Sequence, residues 1–351
     1  MRTWMSWSTA VIVTAAVIVV APAASAVPPV TAAEMISAIE QAQATGRAVV
    51  LGAGGQLSCS TSTGPTTTGV VRPTGFLLTS VENGVSTMFV AGTKKHLSVP
   101  LQYVKGLTNL DPSFIAAVLA DAKAPADTRY VKGPWGASTT RYLGLPADQA
   151  PNFASLAALR NFGVSMMFDV LPEWLSDAGV TYTKIPSPDG SVLWRAGRST
   201  SATGSEEFTF IVSPEGRPGQ RQKRLFSSGV ITYESNCTWS NYGSPGPLTL
   251  PPEAQTAPIL KVGPSAWRLT WTQGLGEITE TIKQKVVADQ DLTVKAVRAK
   301  SYVVVYDAGL ENDVTISNVP GGARLAVSDP IAGTLARCVT LKNGTLKDAA
   351  C

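Results

Sequence analysis

Histidine is nearly absent from this chain, since His96 is the only one among 351 residues. A Ser-His-Asp triad would have to use this residue, because the nucleophile needs an adjacent base. His96 lies in an alternating, strand-like segment, and the sequence contains no Gly-x-Ser-x-Gly motif. A single histidine also argues against a histidine-based metal centre. We therefore predict no catalytic residues, no metal site and no cofactor.

Carboxylates are scattered along the chain and offer little more to catalysis. Glu206 and Glu207 are adjacent, but neighbouring residues of a strand point to opposite faces of a sheet. A cooperating carboxylate pair is therefore not expected there. An uncharacterised hydrolase stays a minor alternative.

Charged residues are also scarce, at 15% of the chain, and the formal net charge is only +4. Proteins that bind nucleic acid carry a marked basic excess, so we expect no nucleic-acid partner. One basic segment stands out, at 217–224, which reads Arg-Pro-Gly-Gln-Arg-Gln-Lys-Arg. Two interpretations are open, a solvated turn or a contact with the anionic headgroups of a membrane surface or another polyanion.

Long apolar runs are lacking outside the first residues of the chain. Arg2 is the only charge before residue 34, an apolar run follows at 9–20, and Ala24-Ser25-Ala26 comes next. This is the pattern of a cleavable signal peptide, and the run is shorter than the roughly 20 residues that span a bilayer. We predict removal of residues 1–26 and an extracytoplasmic, secreted or cell-envelope protein that begins at Val27. The cysteine that a lipoprotein needs at that position is missing.

Prolines and glycines become dense at 242–252, which is typical of a domain end. We predict an α+β protein with a first domain at 27–252, a linker at 253–262 and a small α+β domain at 263–351. The expected helices are 34–45, a helix that opens at Asp111-Pro112, 152–161 and 273–287. The expected strands are 47–51, 55–62, 68–80, 85–91, 95–101, 207–213, 222–227, 230–240, 291–298, 301–306, 313–317 and 324–328. The segment 164–175 is ambiguous.

Cysteine is scarce as well, with four residues and no Cys-x-x-Cys spacing, so a zinc or redox motif is not expected. An even number in an exported chain favours disulfides, and four cysteines allow three pairings. Cys59 and Cys237 precede the expected linker, whereas Cys338 and Cys351 follow it. If the two domains fold separately, pairing occurs within each of them.

The expected strands at 207–213 and 230–240 are rich in apolar side chains, and the helix after Asp111 carries an apolar stripe. Core packing explains these patterns. The alternative is a cavity for an acyl chain, because such pockets are mostly apolar with few polar groups. The candidate ligand-binding residues are Phe114, Val118, Phe208, Phe210, Ile231, Tyr233 and Trp239. Ile231, Tyr233, Cys237 and Trp239 are expected on one strand face.

The end of the first domain contains Tyr242-Gly243-Ser-Pro245, followed by Pro247 and Pro251. With the order of elements and the phrase Thr-Arg-Tyr-Val-Lys at 128–132, this resembles the LolA-like superfamily of exported lipid and lipoprotein carriers. It is most similar to the branch that contains the LppX and LprG lipoproteins. The resemblance implies a half-open antiparallel β-barrel wrapped on helices, which binds acyl chains or lipidated proteins without catalysis.

Residues 263–351 have no counterpart in the simple carriers of that superfamily. A LolA-like domain followed by a small domain is reminiscent of RseB/MucB-type sensors, which bind an anti-sigma factor and respond to lipid. Two functions are therefore open. The first is non-enzymatic binding of a lipid or lipidated ligand, and the second is a regulatory sensor whose partner is a protein, such as a membrane-anchored one.

Overall fold

The computed structural model describes residues 30–82, 85–107, 111–168 and 171–351. The predicted signal peptide at 1–26 and the expected hairpin turn Asn83-Gly84 lie outside the described residues. Within these ranges the chain is α+β, with one large sheet and one small sheet. None of the helices there is long and apolar enough to span a membrane.

The bounds of the elements follow the chain order. The helices of the described ranges are α1 Ala32–Ala53, α2 Pro112–Asp121, α3 Ala137–Thr140, α4 Leu156–Phe168, α5 Ile259–Ala288 and α6 Val294–Asp307. The strands up to the middle of the chain are β1 Gly55–Thr61, β2 Thr66–Arg72, β3 Gly75–Glu82, β4 Val85–Thr93, β5 His96–Pro100 and β6 Tyr130–Pro134. The next are β7 Thr181–Pro186, β8 Val192–Ser199, β9 Gly204–Val212, β10 Pro218–Ser227, β11 Val230–Ser240 and β12 Thr256–Pro258. The last are β13 Thr315–Val319, β14 Gly322–Asp329, β15 Gly333–Lys342 and β16 Thr345–Ala350.

The large sheet joins twelve strands of the described ranges in the order β12-β6-β5-β4-β3-β2-β1-β11-β10-β9-β8-β7. Every neighbouring pair is antiparallel except β12 and β6, which run parallel. The two terminal strands, β12 and β7, do not pair with each other, so the sheet is open and not a closed barrel. The small sheet has the order β13-β14-β15-β16.

Helix α1 packs against the large sheet, and Thr31 and Glu34 cap its start with a capping box. The expected end of this helix near Gly46 and the expected strand at 47–51 are both wrong, because α1 continues to Ala53. Gly46 does not stop the helix but lets it approach its neighbours. A side chain there would lie 2.7 Å from Pro218 Cδ and 2.9 Å from Phe168 Cε1.

Two further expectations in the first half of the chain need correction. The helix expected at 152–161 is α4, which begins later and continues to Phe168 through part of the ambiguous segment. The single strand expected at 68–80 is the antiparallel pair β2 and β3. By contrast, the expected start of α2 is confirmed, because Asp111 accepts a hydrogen bond from the Ser113 N–H and Pro112 opens the helix.

Helix α5 takes part in two hydrophobic cores. Its first turns contribute Ile259, Val262 and Ala266 to the core of the large sheet, and later turns contribute Leu275 and Ile282 to the core of the small sheet. The segment 253–262 was expected to be a linker, but it contains β12 and the start of this helix. Because β12 pairs with β6, the segment belongs to the large sheet. The division into two domains stays a prediction.

The strands expected at 291–298 and 301–306 are also wrong, because these residues form α6. Thr293 caps this helix by accepting a hydrogen bond from the Ala296 N–H. Val297, Ser301 and Val304 are buried at helical spacing. The β-branched residues favoured a strand, but burial of one helix face against β14 overrides that preference.

The described residues contain both disulfides expected from the sequence. Cys59 and Cys237 lie directly opposite each other on β1 and β11, with their Cα atoms 4.0 Å apart. Cys338 on β15 is bonded to Cys351 at the end of the chain. The first bond links strands that are far apart in sequence, and the second holds the last strand in place.

Candidate ligand-binding site

The face of the large sheet that α1 and α4 cover, called the inner face below, carries a buried group of aromatic rings. Phe168 of α4 stacks on Trp239 of β11, with ring centroids 5.9 Å apart. Phe210 of β9 lies 5.8 Å from Trp239 and 6.4 Å from Phe208. We call these four residues the aromatic cluster. It makes this part of the inner face strongly apolar.

Strand register places a mixed set of side chains next to the cluster. Residues directly opposite each other on neighbouring strands share a face. The set, called the middle row, consists of Trp194, Phe210, Arg221, Cys237, Cys59, Thr67 and Ser80. The hydroxyl oxygens of Thr67 and Ser80 lie 3.3 Å apart, which agrees with this register. The row therefore joins aromatic, disulfide, cationic and hydroxyl groups across seven strands.

The next rows toward the turn between β10 and β11 are more polar. One consists of Ala196, Phe208, Lys223, Ser235 and Thr61, and the other of Arg198, Glu206, Leu225 and Tyr233. We call these two sets the outer rows. Glu206 binds Lys223 at 2.8 Å and Arg198 at 3.1 Å, and Arg198 also reaches Asp177 at 2.6 Å. The inner face thus changes from apolar to charged along the strand direction.

Glu206 and Arg221 lie on the same face but differ in the groups that shift their pKa values and in the partners that they bind. Burial raises the pKa of Glu206, but the hydrogen bonds from Lys223 and Arg198 outweigh it and leave the pKa below its usual value. Burial lowers the pKa of the Arg221 guanidinium, which donates a hydrogen bond to Cys237 Sγ at 2.9 Å. Glu206 therefore has cationic partners, whereas the partner of Arg221 is a disulfide sulfur.

The structure brings together only part of the expected ligand-binding residues. Phe208, Phe210 and Trp239 belong to the aromatic cluster, and Tyr233 belongs to an outer row. Ile231 was expected on the same face as Tyr233, and this is wrong. A β-bulge between the pairs Leu225–Tyr233 and Phe226–Ile231 shifts the register, so the two residues pair with successive positions of β10 and face opposite sides.

The two expected residues on α2 lie elsewhere. Val118 is buried in the core of the large sheet, and Phe114 is packed against that core at its edge. Phe114 also lines a cleft of about 840 Å³ between α2 and α5, together with Thr270 and Gln273. Ligand contact by any of the expected residues stays a prediction.

Arg221 and Lys223 are not among the expected ligand-binding residues, although they lie in the basic segment 217–224. The strand expected at 222–227 is confirmed as part of β10, which begins earlier, at Pro218 beside a bulge, so a solvated turn is wrong for most of this segment. A contact of the segment with an anionic group stays a prediction. The alternation within 220–224 could have indicated a strand, because it puts Arg221 and Lys223 on one face and Arg224 on the other. No local pattern could have placed the hydroxyl groups of β1 and β2 beside them, since that depends on strand pairing.

The residues considered for catalysis are not assembled into a site. His96 lies on β5, where burial and then the nearby Lys132 lower its pKa. Glu207 points away from Glu206 and pairs with Arg195 and Arg224, each at 3.6 Å. In the part of the chain that the structure describes, no group of three His, Cys, Asp or Glu residues could hold a metal ion.

Further clefts lie away from the inner face. One of about 810 Å³ runs along α1, where Gln43, Arg47 and Leu51 line it with Leu171. Another of about 620 Å³ lies between α6 and β13 and is lined by Tyr302, Tyr306, Val314 and Ile316, among others. Both volumes are in the range of small-molecule pockets. The second cleft also combines aromatic side chains with two carboxylates, those of Asp307 and Glu311.

Fold and site together define an α+β protein with an open, largely antiparallel sheet whose inner face is covered by helices. No family model matches the chain, and no curated protein matches it. Among solved structures, the chain is similar to the Mycobacterium tuberculosis lipoprotein LppX, at 12% identity and a TM-score of 0.30. This likeness covers 62% of the present chain and 99% of LppX. The resemblance to LolA-like carriers stays a prediction.

Proposed function

We propose that this protein binds a lipid or another acylated amphiphile on the inner face of its large sheet, without a chemical step. The observation that carries the proposal is the change along β9, β10 and β11 from the aromatic cluster to charged and hydroxyl side chains. An amphiphile has the same order of groups along its length. Burial of its chain against aromatic rings removes apolar surface from water, while its polar end stays among polar groups.

Access to the aromatic cluster involves helix α4. Phe168 stacks on Trp239, and Gly163 approaches the Phe76 ring so closely that an added side chain would lie 2.1 Å from it. An acyl chain that reaches the cluster therefore has to replace the Phe168 ring. The outer rows need no such movement, because Lys223, Leu225 and Tyr233 are only half-buried.

An extracytoplasmic location fits this proposal. The Cys59–Cys237 and Cys338–Cys351 bonds are consistent with an oxidising compartment outside the cytoplasm. The proposed ligand is then a lipid of the cell envelope or an acylated molecule taken from a membrane surface.

A fluorescent fatty acid tests the proposal directly. We expect the mature protein to bind the probe saturably and to release lipid on organic extraction. Tyr233→Asp should weaken probe binding about tenfold or more, because it places a carboxylate in the outer rows, where it repels the ionised end of the fatty acid. Thr238→Asp is the matched control, since Thr238 lies on the same strand and is exposed. A purified protein that carries no lipid and binds no acyl probe would contradict the proposal.

A second candidate function is a sensor that binds a partner protein. The observation that favours it is the exposed face of α6, where Tyr302, Val303 and Tyr306 are 54%, 43% and 72% exposed. Apolar side chains grouped in this way are common at protein interfaces. Native mass spectrometry separates the two candidates, because a co-purifying polypeptide that Tyr306→Asp removes supports the sensor, and a co-purifying lipid supports the carrier.

A further inference from the structure

We infer that the polar end of the ligand is an oxyanion, a carboxylate or a phosphate, and that Arg221 binds it. The inference rests on the proposed binding of an amphiphile at the inner face. Arg221 sits in the middle row, between Phe210 on β9 and Cys237 on β11. Along the strand direction, a group bound there would have Trp239 of the aromatic cluster on one side and Lys223 of the outer rows on the other.

The first argument is the partner of the guanidinium. In the described part of the chain, the hydrogen bond of the Arg221 side chain goes to Cys237 Sγ. A guanidinium presents several N–H donors in a planar fork, and sulfur is a weak acceptor. Most of the hydrogen-bonding capacity of Arg221 is therefore not met by strong protein acceptors.

The second argument is that the nearby acid is already engaged. Glu206 lies on the same face, and its two carboxylate oxygens bind Arg198 and Lys223. Among the described residues, no carboxylate lies within 4.0 Å of the Arg221 guanidinium. A partly desolvated cation without an anion is costly, and an incoming oxyanion would recover that free energy.

The third argument is the contrast with a second arginine of the same strand. Arg224 faces the opposite side of β10, where it binds Glu234 at 3.1 Å and Glu207 at 3.6 Å. The outward arginine thus has two carboxylates, whereas the inward one is held beside a disulfide. An arginine fork matches a carboxylate or a phosphate with two parallel hydrogen bonds, and this geometry favours oxyanions over neutral headgroups.

Hydroxyl groups and aromatic rings surround Arg221. Ser235 and Thr61 lie in the adjacent outer row and carry hydroxyl donors. Phe210 lies directly opposite Arg221, and Trp239 follows two residues beyond Cys237 on β11. An oxyanion on Arg221 would therefore direct its chain toward the aromatic cluster.

The test compares three amphiphiles with one chain length: dodecanoate, dodecyl phosphate and dodecanol. Calorimetry with the full mature protein is expected to show that one or both anions bind about tenfold or more tightly than the alcohol, since each such factor corresponds to one charge-assisted contact. Arg221→Gln should abolish this preference, so that neither anion binds more tightly than dodecanol. Arg224→Gln is the matched control and should behave as the wild type.

The outcomes separate the two levels of the hypothesis. Preference for dodecanoate indicates a fatty-acid-like ligand, and preference for dodecyl phosphate indicates a phosphate headgroup. Equal binding of all three, or a preference that survives in Arg221→Gln, would overturn the role of Arg221 while leaving amphiphile binding intact. Failure of the wild type to bind any of the three would remove the proposed function itself. If Arg221→Gln does not fold, Arg221→Lys keeps the charge and should reduce the preference by loss of the fork.

Discussion

The two hydrophobic cores of this protein are built from different side chains. The core of the large sheet includes fully buried aromatic rings, among them Phe168, Phe208 and Phe210. In the described part of the chain, the buried cluster of the small sheet is aliphatic, and the two tryptophans packed against it, Trp267 and Trp271, are only partly buried. An aliphatic core is explained by packing alone. The large sheet also places the cationic Arg221 in one row with the buried Phe210, and the proposed ligand binding rests on this feature.

The two disulfides also differ in the region that they stabilise and in the length of the loop that they close. The Cys59–Cys237 bond lies in the middle row of the inner face and closes a loop of 178 residues. The Cys338–Cys351 bond closes a loop of 13 residues and fixes the end of β16. The first stabilises the region that carries the candidate site, and the second stabilises a chain terminus.

The largest expected effect comes from removing one disulfide at a time. Replacing Cys59 and Cys237 with serine should lower the free energy of unfolding by up to about 5 kcal/mol, because a long loop is freed in the unfolded chain. Replacing Cys338 and Cys351 should lower it by up to about 3 kcal/mol. Urea unfolding of both variants measures the difference. Equal losses, or the reverse order, would contradict a purely entropic contribution.

The second effect concerns the charged part of the inner face. Glu206→Gln should cost about 3 kcal/mol of unfolding free energy at neutral pH, because Arg198 and Lys223 lose a buried partner. Glu207→Gln on the opposite face should cost less than about 1 kcal/mol, since its ion pairs are more exposed. The two neighbouring substitutions thus compare the two faces of β9 directly.

The pH dependence of Glu206→Gln provides a control with a definite sign. The pKa of Glu206 is lower in the folded protein than in the unfolded chain, so the ionised carboxylate stabilises the fold. This stabilisation is complete above the unfolded pKa and is lost as the pH falls through the folded pKa. The difference between wild type and Glu206→Gln should therefore shrink in acid. A constant difference down to about pH 3 would show that the effect is steric.

A smaller effect than that of Glu206→Gln is expected at the contact between the two cores. The Tyr142 hydroxyl donates a hydrogen bond of 2.6 Å to Asp329, the last residue of β14, and both side chains are buried. Tyr142→Phe should lower the free energy of unfolding by about 1.5 kcal/mol, because a hydrogen bond to a charged group is lost. Denaturant unfolding, followed separately by Trp fluorescence and far-UV dichroism, measures this loss. An unchanged midpoint would mean that this contact does not couple the cores.

Local sequence rules predicted much of the scaffold. Asp111-Pro112 indicated the start of α2, and alternation at 207–213 indicated the strand that carries Phe208 and Phe210. The same rules failed where burial outweighs propensity. Gly46 is typical of a helix end, but here it allows α1 to pack closely against its neighbours. The valines of α6 favour a strand, but here they form the buried face of a helix that packs on the small sheet.

The sequence by itself determined three properties of the protein. Cysteines on the same side of the expected linker pair with each other, the strands are apolar, and catalytic groups are scarce. These properties depend on residue type and short-range order. Only the tertiary structure decided that Arg221 shares a row with Phe210 and Cys59, and that Ile231 faces away from Tyr233. The physical reason is that strand register and a single β-bulge decide which side chains meet, and both arise from pairing between distant segments.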